Sequence, residues 1–66
     1  MFIIEIQFNG EEATPALLWE FQTAKNVAEQ SYHNKLSYAA VSDVRAHTVS
    51  LVNERGEIIK SETYYH

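Results

Sequence analysis

The stretch at residues 14–34 constrains the fold most, because it holds the only Pro, the only Trp and the longest helically spaced run of apolar residues in this 66-residue chain. Two secondary structures fit it. In the first, Thr14 caps and Pro15 begins one long helix. Its apolar residues then recur on a period of 3.6, at Leu17, Phe21, Ala24, Ala28 and Tyr32.

In the second interpretation, a strand over residues 16–22 precedes a shorter helix that Thr23 caps. The inner face of that helix would comprise Ala24, Val27, Ala28, Ser31 and Tyr32.

Trp19 separates these interpretations. On the long helix it lies on the polar side, whereas in the strand it shares a face with Leu17 and Phe21. Because burying an indole contributes roughly 2–3 kcal/mol, its exposure needs a reason. We therefore favour the strand followed by a helix. If the long helix forms instead, an exposed Trp19 becomes the best indication of a binding site.

The flanking segments predict strands. Residues 2–8 alternate, and we expect the aromatic and aliphatic row to face the core together with Phe21; this row is Phe2, Ile4, Ile6 and Phe8. Asn9-Gly10 predicts a turn. The helix is expected to end at Asn34-Lys35, with Tyr32 and Tyr38 closing the core.

The last third of the chain predicts extended structure. Residues 38–53 are rich in β-branched side chains, with a break at 42–46. Residues 48–52 and 58–65 then form a hairpin in which Gly56 takes a positive φ, and the last strand has the mixed faces typical of a sheet edge.

These elements predict a single α+β domain over residues 1–66, with one helix packed on a three- to four-stranded antiparallel sheet. The element order is ββαββ if residues 16–22 form a strand and βαββ if they are helical. A chain of this length is only marginally stable, and without Cys it has no disulfide to compensate. Self-association would bury more surface.

The charge distribution predicts the kind of partner. The net charge of −4 arises from residues 1–22, which contain Glu5, Glu11, Glu12 and Glu20 but no Lys or Arg. Phosphate binding needs a basic surface, so we expect no nucleic acid but a protein with a basic surface. No apolar segment is long enough to span a membrane, and we expect a cytoplasmic protein.

Catalytic and metal-binding patterns are absent from the sequence. His33, His47 and His66 lack the local spacing of metal ligands, so we expect no metal and no other cofactor. Ser42, Asp43 and His47 have the residue types of a hydrolytic triad, but no nucleophile elbow surrounds Ser42. A small enzyme or ligand binder that uses these three residues is a remote alternative, and we expect a non-enzymatic protein.

The leading hypothesis is therefore a small acidic protein-binding module, an inhibitor or adaptor of a larger host protein. The chain is similar in size and composition, though in no residue motif, to short phage and mobile-element proteins that bind a host protein. The expected contact residues are Glu11, Glu12, Glu20, Trp19, Tyr64 and Tyr65.

The alternative hypothesis is a structural subunit that forms a homodimer by pairing its C-terminal strand with that of a second copy. In this arrangement Lys60 of one strand would face Glu62 of the other, which selects the register. The self-association residues would be Ile59, Lys60, Glu62 and Tyr65.

Overall fold

The computed structural model describes residues 1–8 and 16–66. Its elements are β1 (Phe2–Phe8), β2 (Ala16–Phe21), α1 (Lys25–Val41), β3 (Ala46–Val52) and β4 (Ile58–Tyr65). The strands form one antiparallel sheet in the order β2-β1-β3-β4, and α1 packs on one face of it. The predicted two-layer α+β fold is confirmed with the order ββαββ. The turn predicted at Asn9-Gly10 lies outside the described residues.

The long-helix alternative is wrong, because the residues around Trp19 form strand β2. This strand pairs with β1 from Gln7 opposite Ala16 to Phe2 opposite Phe21. The pairing places the apolar row of β2 beside the apolar row of β1, which a helix would not do.

Helix α1 begins later and ends later than predicted. Ala24, not Thr23, is the N-cap residue, and no side chain caps this end. The predicted end at Asn34-Lys35 is wrong, because the inward stripe continues: Ala28, Tyr32 and Ala39 are buried, and Leu36 packs against the same core. The helix ends where Ser42 becomes extended, at φ −70° and ψ 147°.

The predicted core role of Tyr38 is also wrong. Because the helix continues through this position, Tyr38 lies off the inward stripe and is 73% exposed. Tyr32, by contrast, is buried as predicted, and its burial, reinforced by the negative charge of Glu62, raises its pKa.

The hydrophobic core lies between α1 and the sheet. Its fully enclosed side chains come from the two central strands and the helix stripe, namely Ile3, Val49, Leu51, Ala28, Tyr32 and Ala39. The prediction that Phe2, Ile4, Ile6 and Phe8 face the core is therefore wrong. They lie on the opposite face of β1 from Ile3, because side chains alternate along a strand and Ile3 is the residue under the helix.

The hairpin that joins β3 to β4 is confirmed. The side-chain Oδ1 of Asn53 accepts hydrogen bonds from the backbone N–H groups of Arg55, at 2.9 Å, and Glu57, at 3.0 Å. Gly56 has φ 84°, as the turn requires. The pairing shifts register between Leu51 and Val52, and β4 lies at the edge of the sheet as predicted.

The molecule is a thin plate. Its principal extents are 35 × 22 × 15 Å, and its radius of gyration is 11.8 Å. A compact chain of this length would have a radius of gyration of about 10.8 Å. Among residues 1–8 and 16–66, one helix lies over the four-stranded sheet and no element covers its other face.

Candidate functional site

The face of the sheet that α1 does not cover is called the open face. The strand register arranges its side chains in cross-strand rows, because directly opposite residues share a face. From one end to the other the rows are Phe21, Phe2, Val52 and Ile58; then Trp19, Ile4, Ser50 and Ser61; then Leu17, Ile6, Thr48 and Thr63; and finally Phe8, Ala46 and Tyr65.

None of these open-face residues is charged. The charged residues of the described strands all lie in the alternate rows, on the side that α1 covers, and they are Glu5, Glu20, Lys60 and Glu62. Depletion of charge distinguishes the centre of a protein interface from an ordinary protein surface. In a chain that is 21% charged, this separation of charge from one whole face marks the open face as the candidate functional site.

The half of the open face formed by β1 and β2 is apolar and exposed. Trp19 is 67% exposed and Leu17 is 63% exposed, with Phe21, Phe8 and Ile6 between 37% and 43%. Soluble monomers rarely leave a contiguous apolar patch of several hundred Å² in water, and such patches commonly bind a partner.

Aromatic rings organise this apolar half. The ring of Phe2 lies 4.9 Å from that of Phe21 and 6.1 Å from that of Trp19, measured between centroids, in tilted arrangements. Beside them, a depression of about 290 Å³ is lined only by Phe2, Ile4, Leu17 and Trp19. Pockets for small-molecule ligands have volumes of about 300–1,000 Å³, so this depression is at the lower limit of that range. Its size suits one large side chain.

The half of the open face formed by β3 and β4 is lined by hydroxyl groups that bind one another. The Oγ1 atoms of Thr48 and Thr63 are 2.8 Å apart, and the Oγ atoms of Ser50 and Ser61 are 3.0 Å apart. These hydroxyls therefore have partners without any second molecule. Tyr65, which was predicted as a contact residue, stands at the corner of this half and is 80% exposed.

On the helix side, the acidic residues of the strands bind α1. Glu20 accepts hydrogen bonds from Ser31 Oγ at 2.7 Å, Gln22 Nε2 at 2.9 Å and Lys35 Nζ at 3.3 Å. The bond from Ser31, followed by that from Gln22, holds the pKa of Glu20 below its usual value. Lys35 Nζ also lies 3.9 Å from Glu5. Both carboxylates thus have partners within the chain.

The other two acids of the predicted contact surface, Glu11 and Glu12, lie outside the described residues. Of the remaining predicted contact residues, Tyr64 packs at the edge of the core, and its hydroxyl donates a hydrogen bond to Glu62 at 3.3 Å. The predicted self-association residues Ile59, Lys60 and Glu62 are exposed on β4. They help line a groove of about 570 Å³ between this edge strand and α1.

The remote triad is not assembled. His47 is only 4% exposed, and neither of its ring nitrogens makes a hydrogen bond; Nε2 lies 3.5 Å from Glu5 Oε2 without hydrogen-bond geometry. Ser42 Oγ accepts a bond from the backbone N–H of Val44 instead. His47 therefore makes no hydrogen bond with Ser42. Within residues 1–8 and 16–66, no group of three or more His, Asp or Glu residues is placed to hold a metal ion.

The sequence interpretation missed most of the open face. It selected Trp19 and Tyr65 as contact residues but assigned Phe2, Phe8 and Phe21 to the core. One signal in the sequence does point to the uncovered face: the aromatic rows of the first two strands contain no charged residue, while the alternate rows contain Glu5 and Glu20. Charged strand residues can form hydrogen bonds and ion pairs with the polar side chains of a helix, whereas apolar strand residues cannot.

Comparison with protein-family models, with curated proteins and with solved structures finds no match to this chain. In the described part of the chain, no helix has the length and apolar character needed to cross a bilayer. The geometry of the open face therefore carries the functional argument.

Proposed function

We propose that this chain is a non-enzymatic protein-binding module, acting as an inhibitor or adaptor, and that its partner binds the open face. The observation that carries the proposal is the complete separation of charge from that face in the described strands. An exposed surface that carries seven large apolar side chains, five of them on β1 and β2, and no charge favours contact with another protein over contact with water.

Trp19 is the expected centre of the binding energy. Interface hot spots are enriched in Trp and lie beside well-packed apolar depressions, and Trp19 lines such a depression with Phe2 and Leu17. The hydroxyl pairs of β3 and β4 border this region with polar groups that are already satisfied. The partner surface that fits is flat, apolar and free of charge, as the face of another sheet is.

The prediction that the partner has a basic surface has weaker support. Glu5 and Glu20 are held by Lys35 on the helix side, so only Glu11 and Glu12 remain as candidates for attracting it. If they do so, reversing both to Lys slows association and inverts its dependence on salt concentration, because exposed charges are screened within a Debye length of about 10 Å at 0.1 M.

A second candidate function is the structural subunit that dimerises through β4. The observation in its favour is that β4 is an eight-residue edge strand, which leaves one side of its backbone unpaired. Lys60 and Glu62 on this strand limit such pairing to a register in which the two charges meet across the edge.

Photo-crosslinking tests the proposed binding surface. A photoreactive phenylalanine analogue replaces Trp19 on the open face or, as the control, Tyr38 on the helix, which is similarly exposed at 73%. After irradiation in the cells that produce the chain, we expect discrete adducts from position 19 and none from position 38. Equal labelling at both positions, or no adducts at position 19, would contradict the proposed function.

A further inference from the structure

We infer that the occupant of the open face is a second copy of this chain, so that two sheets pack face to face about a two-fold axis with their helices outside. This inference rests on the proposed role of the open face as a protein-binding surface, and it names a second copy, not an inhibited host protein, as the partner. The resulting assembly has four layers, in the order helix, sheet, sheet, helix. It differs from the dimer predicted through β4, in which the two sheets would join edge to edge.

Charge favours a second copy. The chain carries a net charge of −4, so two copies repel each other wherever their acidic residues meet. The open face is the surface of the described sheet on which no acidic residue can meet another, because Glu5, Glu20 and Glu62 lie on the helix side. A basic partner, by contrast, would find no carboxylate on the open face to pair with.

The exposed area agrees with the area that a dimer needs. Trp19, Phe21 and Phe8 are exposed by 67%, 43% and 40%. With roughly 150–250 Å² for each aromatic side chain, these three rings alone leave about 300 Å² uncovered in each copy. The exposed parts of Leu17, Ile6 and the neighbouring residues bring the area buried by two copies to about 1,000 Å², the lower limit for a specific interface.

The two halves of the open face locate the symmetry axis. In a two-fold interface the same patch lies on both copies, so apolar surface is buried against apolar surface only if the axis passes through the half formed by β1 and β2. The axis therefore lies near Ile4 and Trp19. The hydroxyl pairs of β3 and β4 then lie outside the interface and lose no partner, because they bind one another.

The twist of the strands suits this packing. Two twisted sheets pack face to face about 10 Å apart, with their strand directions within about 30° of each other. At that separation, a large side chain of one copy reaches the depression between Phe2, Ile4, Leu17 and Trp19 of the other. Each plate, only 15 Å thick, becomes half of a more compact particle.

Sedimentation of the purified full chain tests the inference with a matched pair of variants. Leu17 and Leu18 are neighbours in β2, are exposed by 63% and 52%, and lie on opposite faces of the sheet. We expect the wild type to sediment at twice its 7.6 kDa at high micromolar concentration. Leu17→Lys should weaken the dimer by about 100-fold, because it buries an unpaired ammonium group, and Leu18→Lys by less than about threefold.

A third variant separates this dimer from one that pairs through β4. Lys60→Glu would place two acidic side chains opposite each other across paired edges, and we expect it to change the dissociation constant by less than about threefold. Circular dichroism of every variant confirms that it is folded. The inference is overturned if the wild type is monomeric throughout, if Leu17→Lys and Leu18→Lys act equally, or if Lys60→Glu weakens the dimer more than Leu17→Lys does.

The photo-crosslinks from position 19 distinguish failure of this inference from failure of the proposed function. Adducts at twice the chain mass support the second copy. A monomeric wild type whose adducts contain a different protein overturns the second copy but leaves the open face as a protein-binding surface. A monomeric wild type without adducts at position 19 overturns both.

Discussion

The two faces of the same sheet differ in what they carry and in what covers them. The helix side mixes enclosed apolar residues such as Ile3 and Leu51 with the carboxylates of Glu5 and Glu20, and α1 covers it. The open face carries more aromatic surface and no charge, and no described element covers it. The helix thus packs on the face that carries charge, and the uncharged face is left uncovered by the described elements.

The difference shows that complementarity, not apolar content, selects the covered face. Helix α1 places its small residues Ala28 and Ala39 in the core and reaches the strand carboxylates with Ser31 and Lys35. On the open face, those two polar helix residues would be buried without partners, at a cost of about 1–3 kcal/mol for each unsatisfied group. Among the described residues, the aromatic rows are therefore left without a covering element.

The largest expected difference between the faces concerns truncation of Leu. Leu51→Ala opens a cavity beneath α1 and should lower the free energy of unfolding by about 2–5 kcal/mol. Leu17→Ala on the open face should change it by less than about 0.5 kcal/mol in the monomer. Urea denaturation at low chain concentration measures both. Similar losses for the two variants would contradict the assignment of the core to the helix side.

The sequence predicted the elements of this fold better than their packing. The alternation in β1 and the hairpin at Gly56 depend on local spacing, and both formed. The strand before the helix also formed, although Trp19, whose expected burial favoured it, is exposed. The covered face could not be predicted from spacing, because Ile3 and the row of Phe2 and Ile4 are both apolar. The choice depends on contacts between α1 and distant strands.

Helix length was mispredicted for a similar reason. Asn34 and Lys35 look like a helix end, but the contacts of Leu36 and Ala39 with the core stabilise further turns. The candidate site followed the same pattern. Trp19 was selected as a contact residue, but its exposure was expected only for the long helix, because exposure of an apolar residue depends on what packs over it and not on its neighbours in sequence.

Acid should weaken the polar contacts of the covered face and leave the open face unchanged. Because the pKa of Glu20 is lowered in the folded state, its contribution to stability is present above the ordinary value of 4.5 and is lost as the pH falls through the lowered value. Ser31→Ala should cost about 1 kcal/mol near neutral pH and progressively less in acid.

Ser37→Ala is the matched control for Ser31, since Ser37 is exposed on the same helix. We expect this variant to track the wild type at every pH in chemical denaturation. A cost of Ser31→Ala that is undiminished in strong acid, or that is absent at neutral pH, would show that Ser31 does not stabilise the charged form of Glu20.

An effect of opposite sign is expected at His47, the buried residue of the covered face whose ring nitrogens lack hydrogen bonds. Replacing an unsatisfied buried polar group with an apolar one of similar size is neutral or stabilising, so His47→Leu should raise the free energy of unfolding by about 1 kcal/mol. His33→Leu, on the exposed surface of α1, should change it by less than about 0.5 kcal/mol. Thermal denaturation that shows a loss at His47 would mean that this ring has an essential partner.

The accessibility of Trp19 tests the central claim most directly. It is the only Trp in the chain, so its fluorescence reports on the open face alone. As the chain concentration rises, we expect the Trp19 emission to shift to shorter wavelength and acrylamide quenching to fall in the wild type and in Leu18→Lys. We expect neither change in Leu17→Lys. The claim that the open face is the contact surface would be contradicted if emission and quenching stay those of an exposed indole at every chain concentration. The same must hold after addition of any protein that was identified by crosslinking through position 19.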